Sequence, residues 1–162
     1  LTGSFGFQRA DAFQMQSAAI LMQMIGCILA GLLADRFGAG RILGLGSLGV
    51  ALIAAIFYLS LGHVHSSTIF GLYMLLGLFS GTVGVVSYSM VKMFPAQIRF
   101  SGISFSYNVA YAIAGGLTLP LVQWLSLYSD IGAMYYIFAL CMITIITSLF
   151  YRKKFEVNPN KN

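Results

Sequence analysis

Five stretches of this sequence run for about 20 residues or more without a single Asp, Glu, Lys or Arg: Ala12–Ala34, Ile42–Gly62, Ser66–Val91, Phe100–Ser129 and Ile131–Tyr151. A helix needs roughly 20 apolar residues to cross a hydrocarbon layer about 30 Å thick. Transmembrane strands would need alternating polarity over about 10 residues, and no such alternation is present. Composition agrees, with 59% hydrophobic and 8% charged residues, against about 25% charged in a soluble domain. The expected fold is therefore an all-α integral membrane protein with five transmembrane helices. Residues 1–11 form an outer segment, 12–151 the helical bundle and 152–162 a polar tail.

The charges that remain sit between the runs. Arg36 and Arg41 lie in the first connection, Lys92 and Arg99 in the third, and Arg152, Lys153, Lys154 and Lys161 in the tail. The second and fourth connections hold no Lys or Arg. One side thus collects eight of the nine basic residues, all but Arg9, and the positive-inside rule makes that side cytoplasmic. The N-terminus is then outside and the C-terminus inside. A net charge of +5 distributed in this way suits membrane topology and not nucleic-acid binding. LTGSFGFQRAD offers no signal-peptide pattern, and a first residue Leu1 suggests a fragment or a processed product.

Helical spacing sorts the faces. The first run aligns Gln16, Gln23 and Cys27; the third aligns Tyr73, Gly77, Ser80, Gly84 and Ser87; the fourth aligns Ser101, Ser104, Asn108, Tyr111, Gly115 and Thr118. Such stripes have two readings. Small residues let membrane helices approach closely, or the polar groups line a water-filled path, since a mid-membrane amide needs a partner. The candidate cavity-lining residues are Gln23, Tyr73, Ser80, Ser87, Asn108 and Tyr111. Pro120 with Gly115 and Gly116 would bend the fourth helix. The second run is nearly all aliphatic after its glycines and is expected to face lipid.

Enzyme chemistry is excluded by inventory. GLGSLG at Gly44–Gly49 matches a dinucleotide fingerprint in spacing only, without the strand before it or the acid after it. His63 and His65 alone make no zinc site. Cys27 and Cys141 lie inside apolar runs as packing residues. No nucleophile–base set and no carboxylate pair is present, and no cofactor or metal is expected.

GLLADRFGAGR, residues 31–41, resembles the cytoplasmic loop signature of the major facilitator superfamily, with Gly31, Asp35, Arg36, Gly38 and Arg41 in matching places. MFPAQIRFSGISFSYNVAYAIAGGLTLPLVQWL resembles the tenth-to-eleventh helix region of that superfamily's metabolite:proton symporters, the branch of proline/betaine, ketoglutarate, citrate and shikimate carriers. The matches there are Phe94, Pro95, Arg99, Gly102, Ser104, Tyr107, Asn108, Gly115, Gly116 and Pro120. Two departures stand out: Ala39 and Gly40 where further basic residues are common, and Gln97 where Arg is common.

The resemblance implies that the five runs are helices eight to twelve of a twelve-helix transporter of a bacterial inner membrane. It implies partnership with the lipid bilayer and with N-terminal helices absent from this chain. It also implies a small-molecule substrate, symport with protons, and alternating access. An Asp at the C-terminal end of a helix is disfavoured by that helix's own dipole, so Asp35 needs a positive partner: Arg36, Arg41 or another helix's N-terminus. The superfamily resemblance implies the last, a latch between the two halves. The alternative is a truncated, non-transporting membrane protein that acts as a structural or regulatory helix-packing partner.

Overall fold

The computed structural model describes residues 9–60, 65–129 and 131–156. Residues 1–8 of the outer segment, His63 in the second connection, Asp130, and Lys161 with the rest of the tail after 156 lie outside the described residues. Six helices follow one another: α1 (Arg9–Phe37), α2 (Ala39–Ser60), α3 (Ser66–Ser80), α4 (Val83–Met93), α5 (Arg99–Tyr128) and α6 (Gly132–Tyr151). A π-helical turn, Arg152–Glu156, continues α6. Taking α3 and α4 as one crossing, five spans are long and apolar enough to traverse a membrane. Among the described residues α1 already includes Arg9–Asp11, ahead of the expected span, since no helix breaker separates them from Ala12.

Two departures from expectation concern helix faces. α2 was expected to face lipid, yet nine of its residues are buried, among them Gly40, Gly46, Ser47, Ala51 and Ala54. Apolarity cannot separate a lipid-facing helix from a buried one, because lipid tails are as apolar as Leu; small residues make the difference by admitting a neighbouring backbone. α5, with the longest polar stripe, has no buried residue at all. Its half-buried positions, such as Thr118, Val122 and Leu125, recur at helical steps, while Ser104, Asn108, Tyr111 and Gly115 on another face are exposed.

The third span is interrupted at Gly81–Thr82, where turn geometry separates α3 from α4. The cause is an unusually close crossing with α1. A Cβ on Gly26 would collide with the Leu78 carbonyl oxygen, one on Gly77 with the Ala19 carbonyl, and one on Gly81 with Gly26 and the Cys27 amide. Gly77-x-x-x-Gly81 is thus a small-residue contact motif of the kind that joins membrane helices, and it accounts for part of the third stripe.

Two apolar clusters hold the ends of the bundle. Ala30, Ala34, Ala39, Ile42, Leu43, Val85 and Tyr151 gather at the basic end, flanked by Tyr88 and Phe155. Met15, Phe57 and Ile69 gather at the other, where the Phe57 ring lies 5.6 Å from Tyr73. Hydroxyl groups along the spans return to their own helices: Ser47 donates to the Leu43 carbonyl, Ser89 to Val85 and Thr144 to Leu140, each at 2.9 Å. Among the described residues no buried side-chain nitrogen or oxygen lacks a partner, as a hydrocarbon environment demands.

Candidate transport cavity and basic-end loop

A cavity of about 510 Å³ opens between α1, α2, α3, α4 and α6. Gln16 and Gln23 reach it from α1, Tyr73 and Ser80 from α3, Thr82 from the turn before α4, and Cys141 and Thr144 from α6. The Tyr73 hydroxyl donates to Gln16 Oε1 at 2.7 Å, tying α3 to α1 across 57 residues of sequence. The lining offers amide and hydroxyl groups in an apolar wall, and no Asp, Glu, Lys or Arg. Such a set can hydrogen-bond a small polar solute but cannot neutralise a net charge.

Three of the candidate lining residues, Gln23, Tyr73 and Ser80, meet in this cavity. Ser87 is exposed on α4. Asn108 is exposed on α5, its amide Nδ2 donating to the Ser104 carbonyl at 2.8 Å. Tyr111 is exposed and stacks on Tyr107 with centroids 4.6 Å apart and hydroxyls 3.1 Å apart. Asn108 and Tyr111 therefore share a free face of α5 outside this cavity. Cys141 and Thr144 were not singled out as lining residues, although with Ser148 they form a stripe at helical steps on α6 that could have marked them. Tyr73→Phe is expected to lower the midpoint of thermal unfolding by a few degrees. It deletes one hydrogen bond, worth about 1 kcal/mol; scanning fluorimetry of the purified protein checks this.

At the basic end α1 stops at Phe37 and α2 starts at Ala39. The single intervening residue, Gly38, has φ +94°, left-handed backbone that favours glycine. Its N–H closes α1 on the Ala34 carbonyl at 2.9 Å. Gly31 has no neighbour within 4 Å of where a Cβ would stand, so its bare face looks out of this chain. Asp35 and Arg41 are exposed. The Arg36 guanidinium lies over the Phe37 ring at 5.4 Å. Lys92, at the end of α4, feels the Asp35 carboxylate weakly, and its ammonium sits 4.5 Å from the Tyr88 ring.

In the second motif Arg99 Nε donates to the Phe94 carbonyl at 3.2 Å. Gly102 admits the Phe94 ring, which would be 2.6 Å from a Cβ there. Pro95 is exposed in the turn before α5, and Pro120 is exposed inside α5, which continues helical through it. The departures at positions 39 and 40 also gain a cause. Ala39 is 4% exposed, and a Cβ on Gly40 would lie 3.1 Å from Arg152 Cβ and 3.2 Å from the Ser148 carbonyl. Long basic side chains have no room there.

Apolar spans around a mostly apolar cavity, with a few amide and hydroxyl groups and no charged side chain, define a multi-pass membrane protein. The chain belongs to the major facilitator superfamily, whose family model matches residues 1–162. It is 30% identical over 141 residues to a glycine betaine/proline/ectoine/pipecolic acid transporter of Dickeya dadantii, covering 83% of this chain and 28% of the relative. It is 34% identical over 137 residues to a proline/betaine transporter of Salmonella typhimurium, covering 80% and 27%. An inner membrane metabolite transport protein of Escherichia coli is 29% identical over 147 residues, covering 89% and 33%. The chain thus spans about a third or less of the curated relatives it matches. No solved structure matches it significantly.

Proposed function

We propose that this chain is the helix-eight-to-twelve part of a proton-coupled transporter that takes up a small polar metabolite or osmolyte by alternating access. The solute is of the proline/betaine class, with organic acids as the other branch of the same reading. The reading places the protein in a bacterial inner membrane, with the basic end cytoplasmic and the N-terminal end of the chain outside. N-terminal helices beyond this chain complete the pathway, rocking against this bundle about a site near the midplane.

The observation that carries the reading is the cavity lined by Gln16, Gln23, Tyr73 and Ser80 without any charged side chain. An anion held in such a wall would stay unpaired, whereas a zwitterion presents a dipole that amides and a phenol can solvate. The relatives named for proline and betaine transport agree with this. No span holds an Asp, Glu, Lys or Arg away from its ends, so the proton-carrying group belongs to the completing helices.

The test is radiolabelled uptake by the full-length protein in cells lacking their own osmolyte carriers, with and without a protonophore. Proline or betaine should accumulate at least about tenfold above vector controls, and the uncoupler should abolish the gradient. Accumulation that ignores the uncoupler would remove the proton coupling. Failure of proline, betaine and dicarboxylates alike would remove the substrate class.

A further inference from the structure

We infer that Glu156 is a tail latch, which seats its carboxylate on the first turn of α2 and fixes the C-terminal tail to the Gly31–Arg41 loop. Glu156 Oε1 accepts the Gly40 N–H at 2.7 Å, across 116 residues of sequence. The carboxylate also fills the space beside Gly38, where a Cβ would stand 2.9 Å from Oε1 and 3.0 Å from Oε2. Position 38 thus needs glycine twice, for its φ of +94° and for this approach.

The rest of the seam supports the seat. Two turns back, the buried Ser148 hydroxyl donates to the Gly40 carbonyl at 2.7 Å. A Cβ on Gly44 would lie 2.8 Å from the same hydroxyl oxygen. Between them Tyr151 and Phe155 stack at 5.1 Å and pack into the basic-end cluster with Ala34, Ile42 and Leu43. Four α-helical steps overshoot a full turn by about 40°. The wider π turn at Arg152–Glu156 reduces that overshoot and keeps Glu156 on the side of α6 that meets α2.

Charge explains why an acid stands here. The tail is otherwise basic, with Arg152, Lys153 and Lys154 just before it. Three consecutive cations would leave the positive end of the α2 dipole without a counter-charge, whereas a carboxylate on an N-terminal N–H is favourable. The Gly38 turn therefore keeps its shape while the tail is seated. Once the tail leaves, the Gly40 amide opens to water and the loop can change conformation. This device goes beyond the transport reading, because it concerns the seam between α2 and α6 whatever solute is carried.

Hydrogen exchange of the full-length protein in detergent, read by mass spectrometry on the peptide containing Gly40, tests the latch. Glu156→Ala should speed exchange of the Gly40 amide by at least about tenfold, the lower edge of what a lost hydrogen bond to a charged group gives. Glu156→Gln, which keeps the shape and an acceptor oxygen, should fall between wild type and Glu156→Ala and guards against misfolding of the Ala variant. Lys153→Ala, in the same turn, should leave the Gly40 amide unchanged. Equal exchange in wild type and both Glu156 variants would overturn the latch. Equal acceleration by Lys153→Ala and Glu156→Ala would overturn it too, by showing that the tail packs without a specific seat.

Discussion

Replacing Gly81 with leucine is expected to abolish the folded transporter, while the same change at Gly31 leaves folding intact. At Gly81 the new side chain meets backbone atoms of Gly26 and Cys27, which cannot rotate aside. The reciprocal contacts at Gly26 and Gly77 are also with backbone, so α1 and α3 would have to separate along the whole crossing. Overpacking an ordinary core costs about 1–3 kcal/mol. A backbone collision across a membrane helix pair should exceed that and exhaust much of a stability of roughly 5–15 kcal/mol. Nothing lies within 4 Å of the Cβ position at Gly31. Fluorescence-detected size exclusion of full-length fusions should give a monodisperse peak at least about tenfold smaller for Gly81→Leu than for Gly31→Leu. Equal peaks would mean that the crossing is not as close as described.

Asp35→Asn should cut uptake by the full-length protein about tenfold or more without lowering its thermal stability. Asp35 stands in the last turn of α1, where the helix dipole opposes a negative charge by a few tenths to 1 kcal/mol. Removing the charge therefore relieves α1, and a loss of uptake could not be assigned to unfolding. The side chain is exposed here, and its pull on Lys92 is weak. A carboxylate left in an unfavourable place and open to the outside fits what the superfamily resemblance implies for Asp35, a latch to a helix beyond this chain. Lys92→Gln should act in the same direction but less strongly. Uptake at the wild-type rate in Asp35→Asn, measured with the substrate found in the panel above, would end the gating role.

The membrane spans were legible because exclusion of charge over 20 residues is a demand of the solvent and needs no knowledge of neighbours. The first connection was legible in place, between Ala34 and Ile42, but its one-residue length at Gly38 was not. What a span packs against was not legible. α2 looked like a lipid-facing helix because aliphatic residues satisfy lipid and protein equally, and only its Gly, Ser and Ala positions hinted at close neighbours. The break before α4 depends on Gly26 and Gly81 meeting, a pair 55 residues apart that no local pattern connects.

The candidate site was legible in part for the same reason. Polar spacing brought out Gln23, Tyr73 and Ser80, which share one cavity, but spacing assigns residues to a face of one helix and not to a common space. Asn108 and Tyr111 fall on a face of α5 that nothing among the described residues covers. Glu156 escaped notice because a basic, polar tail reads as solvated. Its role depends on a π turn and on an empty glycine position 118 residues upstream at Gly38.

The exposure of α5 has a consequence for biogenesis. It is tied in at Gly102 against Phe94, at Thr118 against Tyr136 with 2.8 Å between hydroxyls, and at Leu125 against Gly132. The middle of the helix, from Asn108 to Leu117, is exposed throughout. After insertion, α5 would therefore be the last helix of this bundle to acquire a fixed rotation about its own axis. Its orientation would be decided by whichever helix arrives against Asn108 and Tyr111, which on the function proposed above is one of the completing helices.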